Sequence, residues 1–104
     1  MDEQRWLTFD LFENRVGERF MVGVEGAEPV AIELTEATES SLPGGSGPSG
    51  QSRLQFSLIF QGPVDPVLPQ AIYGLDHDDL GHLDVFIVPV GKTDTSTRYQ
   101  AVFA

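Results

Sequence analysis

The stretch that decides the fold runs from residue 72 to residue 91 and reads Ile-Tyr-Gly-Leu-Asp-His-Asp-Asp-Leu-Gly-His-Leu-Asp-Val-Phe-Ile-Val-Pro-Val-Gly. Two runs rich in β-branched and aromatic residues, Ala71–Leu75 and Leu83–Val90, flank a polar connector, Asp76–Gly81. Apolar runs joined by a short turn that contains glycine are typical of antiparallel hairpins. The stretch therefore predicts two adjacent antiparallel strands.

The second of these runs is apolar on both of its alternating faces. Val85 and Ile87 fall on one face, and Phe86, Val88 and Val90 fall on the other. We expect a strand without a polar face to be covered on both sides, by the domain core and by something else. The second cover is either a small extra core or another protein. The candidate interface residues are Val85, Phe86, Ile87, Val88, Val90 and Trp6.

The rest of the chain predicts four more strands and one short helix. Residues 8–15 predict the helix, with Thr8 as its N-cap and an apolar stripe of Phe9, Phe12 and Val16. Apolar and polar residues alternate in the predicted strands Arg19–Val24, Val30–Thr38, Arg53–Gln61 and Arg98–Phe103. The fold class is all-β: a single compact antiparallel β-barrel or sandwich of about six strands over residues 1–104.

Two segments are predicted to be irregular. Residues 40–52 are rich in Gly, Ser and Pro, a composition that favours a flexible loop within the domain. Residues 62–69 carry three prolines, which lack backbone donors and are excluded from a central strand. We expect this second segment to cover one end of the sheet with Val64, Val67 and Leu68.

Composition narrows the range of partners. The formal charge is −10, from 16 acidic and 6 basic residues, so binding to nucleic acid or to an anionic membrane is disfavoured. No apolar run approaches the ~20 residues of a membrane helix, and the first residues lack the basic and apolar regions of a signal peptide. We expect a cytoplasmic protein or a part of a secreted or phage-like assembly.

One cluster has metal-ligand residue types. His77 and His82 flank the hairpin turn together with several aspartates, of which Asp79 is the third candidate ligand. In a hairpin the two histidines could face each other, but no established metal-binding spacing is present. The alternative is that the acids solvate the turn while the histidines bond to the backbone.

Signatures of catalysis are missing from the sequence. Cysteine is absent, no G-x-S-x-G motif occurs, and no glycine-rich phosphate loop joins a strand to a helix. We therefore expect no enzyme activity and no cofactor, and a small-molecule ligand is disfavoured.

Several segments together resemble a known family. They are Phe56–Pro63, Leu68–Gln70, Tyr73–His77, Leu80–Gly81, Phe86–Gly91 and Tyr99–Phe103. The chain resembles a family of small uncharacterised bacterial domains, a domain of unknown function often encoded near phage-tail-collar-type fibre proteins. The resemblance implies an all-β, non-enzymatic module.

Two functions remain open at this stage. The first is a structural or protein-interaction module that associates with itself or with a fibre- or tail-like protein. The second is a small metal- or ligand-binding domain that uses the Asp76–His82 turn.

Overall fold

The computed structural model describes residues 7–44, 50 and 52–103. A 3₁₀ turn, Phe9–Leu11, precedes six strands. The strands are β1 (Arg19–Val22), β2 (Val30–Pro43), β3 (Leu54–Gly62), β4 (Ala71–His77), β5 (Gly81–Lys92) and β6 (Thr97–Phe103).

The six strands form one sheet that closes on itself as a ring. Their order around the ring is β1-β2-β3-β6-β5-β4, and every neighbouring pair is antiparallel. The ring closes where Met21 and Val22 of β1 pair with Asp76 and Leu75 of β4. The predicted all-β class and number of strands are confirmed.

Alternation of inward and outward side chains along the strands fills the ring. On β3, for example, Phe56, Leu58 and Phe60 are buried while Gln55 and Ser57 face outward. A strand places successive side chains on opposite faces, so each strand contributes every second residue to the interior. The bulky buried side chains include Phe12, Phe20, Phe60, Tyr99, Ile32, Leu34, Leu58, Leu75, Leu83 and Ile87.

A short helical element forms at the predicted place, but it is a 3₁₀ turn of three residues and not a helix over residues 8–15. Thr8 occupies the N-cap position, as predicted, but its hydroxyl donates to the Asp10 carboxylate and makes no capping hydrogen bond to the backbone. Aromatic packing accounts for the difference: the Phe12 ring lies 6.4 Å from Phe20 and 6.1 Å from Phe56 between centroids. Val16, which the helix would have placed beside Phe12, is exposed.

The proline-rich crossover covers part of the ring, as expected. Leu68 is buried, and its backbone N–H donates a 2.9 Å hydrogen bond to the Tyr99 hydroxyl. Val67 is exposed, so this crossover side chain does not join the core. The Tyr73 hydroxyl donates to the Pro69 carbonyl over 2.6 Å, which connects the crossover to the start of β4.

Strand β2 continues beyond its predicted end at Thr38 and includes the first residues of the predicted 40–52 loop. Pro43 pairs with Leu54 after a register irregularity, and the Gly44 N–H donates to the Arg53 carbonyl. These bonds hold the end of β2 against the start of β3. Residues 45–49 and 51 of that loop lie outside the described residues.

Candidate functional site

The β4–β5 hairpin is longer than the sequence predicted. Both strands extend into the polar connector, which leaves only residues 78–80 in the turn before Gly81, whose φ is 75°. His77 pairs with Gly81, and Asp76 pairs with His82. The two histidines, which could have faced each other in a hairpin, therefore lie on opposite faces, because adjacent register positions point to opposite faces of the sheet.

His77 faces the interior and organises the turn that follows it. Its Nδ1 accepts hydrogen bonds of 3.1 Å from the backbone N–H groups of Asp79 and Leu80. The ring proton therefore lies on Nε2, which donates to Glu18 Oε1 over 2.7 Å. The Phe20 ring packs against the imidazole at 4.6 Å between centroids. His77 has the structural role of a side chain that satisfies turn amides.

Arg15 connects the segment before β1 to the same turn. Its Nη1 lies 3.1 Å from Asp79 Oδ2 and 3.5 Å from Glu18 Oε1, and its Nε donates to the Leu11 carbonyl. Asp79, a predicted metal ligand, is thus occupied as an ion-pair partner. Together with the bond from His77 to Glu18, these contacts hold residues 15–18 against the hairpin turn.

His82 lies on the outer face, between two carboxylates. Its Nδ1 is 2.9 Å from Asp76 Oδ1, and its Nε2 is 3.1 Å from Asp84 Oδ1. The hydrogen bonds to Asp76 and then to Asp84 raise the pKa of His82 above its usual value of 6.5. Gly74 makes room for the ring, since a Cβ at that position would lie 2.6 Å from His82 Cε1. We call Asp76, His82 and Asp84 the outer-face clasp.

The structure does not bring the three predicted metal ligands together. His77 lies inside the ring, His82 lies outside it, and Asp79 lies in the turn beside Arg15. Within residues 7–44, 50 and 52–103, no group of three or more His, Cys, Asp or Glu side chains has a geometry suited to a metal ion.

Apolar side chains on four neighbouring strands form a continuous patch on the outside of the ring. Ile72 of β4 pairs with Phe86 of β5. Val88 of β5 pairs with Gln100 of β6, and Val102 lies two residues further along β6 on the same face. Ile59 of β3 pairs with Gln100 from the other side. We call this set the outer apolar patch; its members are Ile59, Ile72, Phe86, Val88 and Val102.

The patch is open to solvent. Ile72 is 69% exposed, Phe86 is 47% exposed and Val102 is 61% exposed. Val90, next to the patch in the β-bulge between Pro89 and Gly91, is also exposed. Among the described residues, no second small core covers this face. Phe12 of the N-terminal segment and Leu68 of the proline-rich crossover pack with the interior instead.

The candidate interface residues divide between the two faces of β5. Val85 and Ile87 are buried in the core, because β5 alternates, so they offer no surface to a partner. Phe86, Val88 and Val90 do not belong to the buried core. Trp6 lies outside the described residues.

Two features escaped the sequence reasoning. Ile72 was not among the interface residues, although the hairpin register places it opposite Phe86. Gly74 gave no sign of its role, which depends on its cross-strand neighbour Asp84 and on the position of the His82 ring. The apolar identity of Ile72 at an outward position was the available signal.

Acids and a shallow cavity border the patch. Asp84 precedes Phe86 by two positions on the same face, and Glu36 of β2 pairs with Ile59. Beside Val102, a cavity of about 270 Å³ is lined by Thr38, Ser40, Gln55, Phe56, Ser57, Gln100 and Val102.

The described residues contain no helix long and apolar enough to span a bilayer.

Comparison with family models places the chain. Residues 7–103 match the model of a domain of unknown function, DUF6916. The chain belongs to this family. The match to DUF6916 spans the 3₁₀ turn and all six strands, so the family describes the whole ring. Neither the curated proteins nor the solved structures compared with the chain include a match.

Proposed function

We propose that this DUF6916 domain is a non-enzymatic protein-interaction module that binds a protein partner through the outer apolar patch. The observation that carries the proposal is the row Ile72, Phe86 and Val102, in which three large apolar side chains on adjacent strands are exposed together. Contiguous exposed apolar side chains on a small domain are typical of interaction sites.

The geometry of the patch suits recognition. The patch lies across the paired strands of a closed ring, so its backbone is held by ladders on both sides. Because the side chains of the patch are already positioned, binding of a partner would cost little entropy for ordering this face. Phe86 pairs with Ile72 on β4, and Val102 lies on the other neighbouring strand, β6, two residues beyond the partner of Val88. Aromatic side chains near the centre of an interface often contribute much of the binding energy.

The class of partner follows from the resemblance noted above. A domain often encoded near phage-tail-collar-type fibre proteins would have a fibre- or tail-like protein as its partner, with self-association as the second route to an assembly. The metal-binding alternative has no supporting observation, since the two histidines diverge to opposite faces.

Site-specific photo-crosslinking in the cells that produce the protein tests the proposal. A photoreactive phenylalanine analogue replaces Phe86 in one variant and Ile72 in a second. The matched control places the analogue at Val67, which is exposed on the proline-rich crossover and lies outside the patch. We expect the same discrete adduct from positions 86 and 72, and no such adduct from position 67.

A fourth substitution, Val102→Asp, separates specific contact from chance collision. Val102→Asp places a charge inside the patch at an exposed position, so it is expected to abolish the adduct without unfolding the ring. Adducts that form equally from position 67, or that survive Val102→Asp, would contradict the proposed function.

A further inference from the structure

We propose that the partner bound by the outer apolar patch presents lysine or arginine side chains around an apolar centre, and that it is not a second copy of this chain. This inference rests on the proposed function and specifies the chemistry of the partner.

Three carboxylates border the patch and remain accessible. Asp84 lies on the same face as Phe86, two positions away, and its side chain is 53% exposed. Asp76, with 67% of its side chain exposed, is the other acid of the outer-face clasp. Glu36 is on the far side, opposite Ile59, with 60% of its side chain exposed.

Two cationic groups near the patch, Arg98 and His82, are engaged with these acids. Arg98 Nη2 lies 3.3 Å from Glu36 Oε2. His82 serves both Asp76 and Asp84, so one imidazole faces two carboxylates. The border of the patch therefore keeps a negative excess, which grows when His82 loses its proton. A partner with Lys or Arg beside apolar side chains complements both features of the face.

A second copy of the chain fits this face poorly. Two identical patches would bring like-charged borders together around their apolar centres. The whole chain carries a formal charge of −10, which adds repulsion between copies at ordinary salt. Like charges brought together at an interface act against the wrong partner, while the same acids favour a basic one.

A matched set of peptide probes tests the inference on the full chain. Three short amphipathic peptides share the same leucine positions and differ only in their polar positions, which are all Lys, all Gln or all Glu. Affinity is measured by isothermal titration calorimetry at about 0.05 M and about 0.5 M salt, which screen surface charge to different extents. We expect the affinity order Lys, then Gln, then Glu, with the preference for Lys reduced at high salt.

Paired variants show whether the peptide binds at the patch. Phe86→Thr is expected to weaken binding of the Lys peptide about tenfold, as for an aromatic residue at the centre of an interface. Its control, Leu42→Thr, changes an exposed apolar residue near the end of β2 and is expected to have no effect. Asp84→Asn is expected to weaken binding about two- to threefold, whereas Glu28→Asn removes the same charge from the distant β1–β2 turn without effect.

The outcomes separate the inference from the proposed function. Equal, Phe86-dependent binding of all three peptides would overturn the basic partner and keep the interaction face. A Phe86-dependent oligomer of the chain alone, seen by light scattering at ordinary salt, would do the same. If Phe86→Thr left the affinity for the Lys peptide unchanged, or if none of the peptides bound, both the inference and the proposed function would be contradicted.

Discussion

Phe86 and Ile87 are neighbours in β5, yet they lie in opposite environments: Phe86 is 47% exposed, and Ile87 is fully buried. Ile87 faces the interior, where every strand of the ring supplies side chains to one core. Phe86 faces outward, where it contacts the side of a ring that is already packed. In a closed ring, inward residues determine stability, and outward residues are available for recognition.

The two histidines repeat this contrast within the same hairpin. His77 bonds to two turn amides and to Glu18 from inside the ring, while His82 bonds to Asp76 and Asp84 on its surface. The inner histidine accepts hydrogen bonds from two backbone amides of the turn. The outer histidine adjusts the surface charge beside the outer apolar patch.

The sharpest test of the contrast places the same residue at both β5 positions. Ile87→Thr should lower the free energy of unfolding by about 3 kcal/mol, because it opens a cavity and buries a hydroxyl. Phe86→Thr should change it by less than about 1 kcal/mol, since threonine keeps a high strand propensity at an exposed site. Urea unfolding of both variants provides the measurement. Equal losses would refute the division between the two faces.

The histidines give the next largest difference. His77→Ala should cost about 2–3 kcal/mol, because the amides of Asp79 and Leu80 lose their shared acceptor and Glu18 loses a donor. His82→Ala removes only solvent-exposed bonds, so its effect at neutral pH should be much smaller than that of His77→Ala. Thermal and urea unfolding compare the two variants. A larger loss of unfolding free energy from His82→Ala than from His77→Ala would contradict the assignment of the structural role to His77.

Two glycines extend the comparison to backbone positions. A Cβ on Gly62 would lie 2.9 Å from Ile32 Cγ2 and 3.2 Å from Tyr99 Cε2 inside the ring, so Gly62→Ala should cost about 1–3 kcal/mol. Gly74→Ala meets only the exposed His82 ring, which can rotate away. It should therefore cost less, and the pKa of His82, followed by NMR, should fall back toward 6.5. An unchanged pKa would show that Gly74 does not position the ring.

The smallest expected effect is the pH dependence that His82 contributes. Its pKa is raised in the folded chain by Asp76 and Asp84, so protonation favours the folded state. The contribution is fully present below the unfolded pKa of about 6.5 and is lost as the pH rises through the folded pKa. The difference in unfolding free energy between the wild type and His82→Gln should shrink with rising pH. A difference that is constant or grows would contradict the clasp.

The alternation of apolar residues was enough to predict the strands. Phe56, Leu58 and Phe60 on β3 identify its inward face without any knowledge of the neighbouring strands. At residues 8–15 the helical spacing of apolar residues predicted a longer helix than the 3₁₀ turn that forms. Phe12 instead packs among aromatic rings from distant strands. Local patterns indicate secondary structure only where tertiary contacts agree with them.

The candidate site depended on register, which the sequence does not specify. One residue of difference in the hairpin decides whether His77 and His82 share a face, and the observed pairs separate them. The outer apolar patch likewise required the cross-strand neighbours of Phe86, supplied by residues 14 positions before it and 16 after it, Ile72 and Val102. The unusual apolar content of β5 was visible in the sequence, but the extent of the patch was not.

The most direct test of the account is an NMR titration of the full chain with the Lys peptide, following the backbone amide resonances. We predict that the perturbed resonances cluster at the outer apolar patch and its acidic border, at Ile72, Asp84, Phe86, Val88 and Val102. Perturbations centred instead on the acidic β1–β2 turn, around Glu25 and Glu28, would contradict the account by showing that charge alone attracts the peptide.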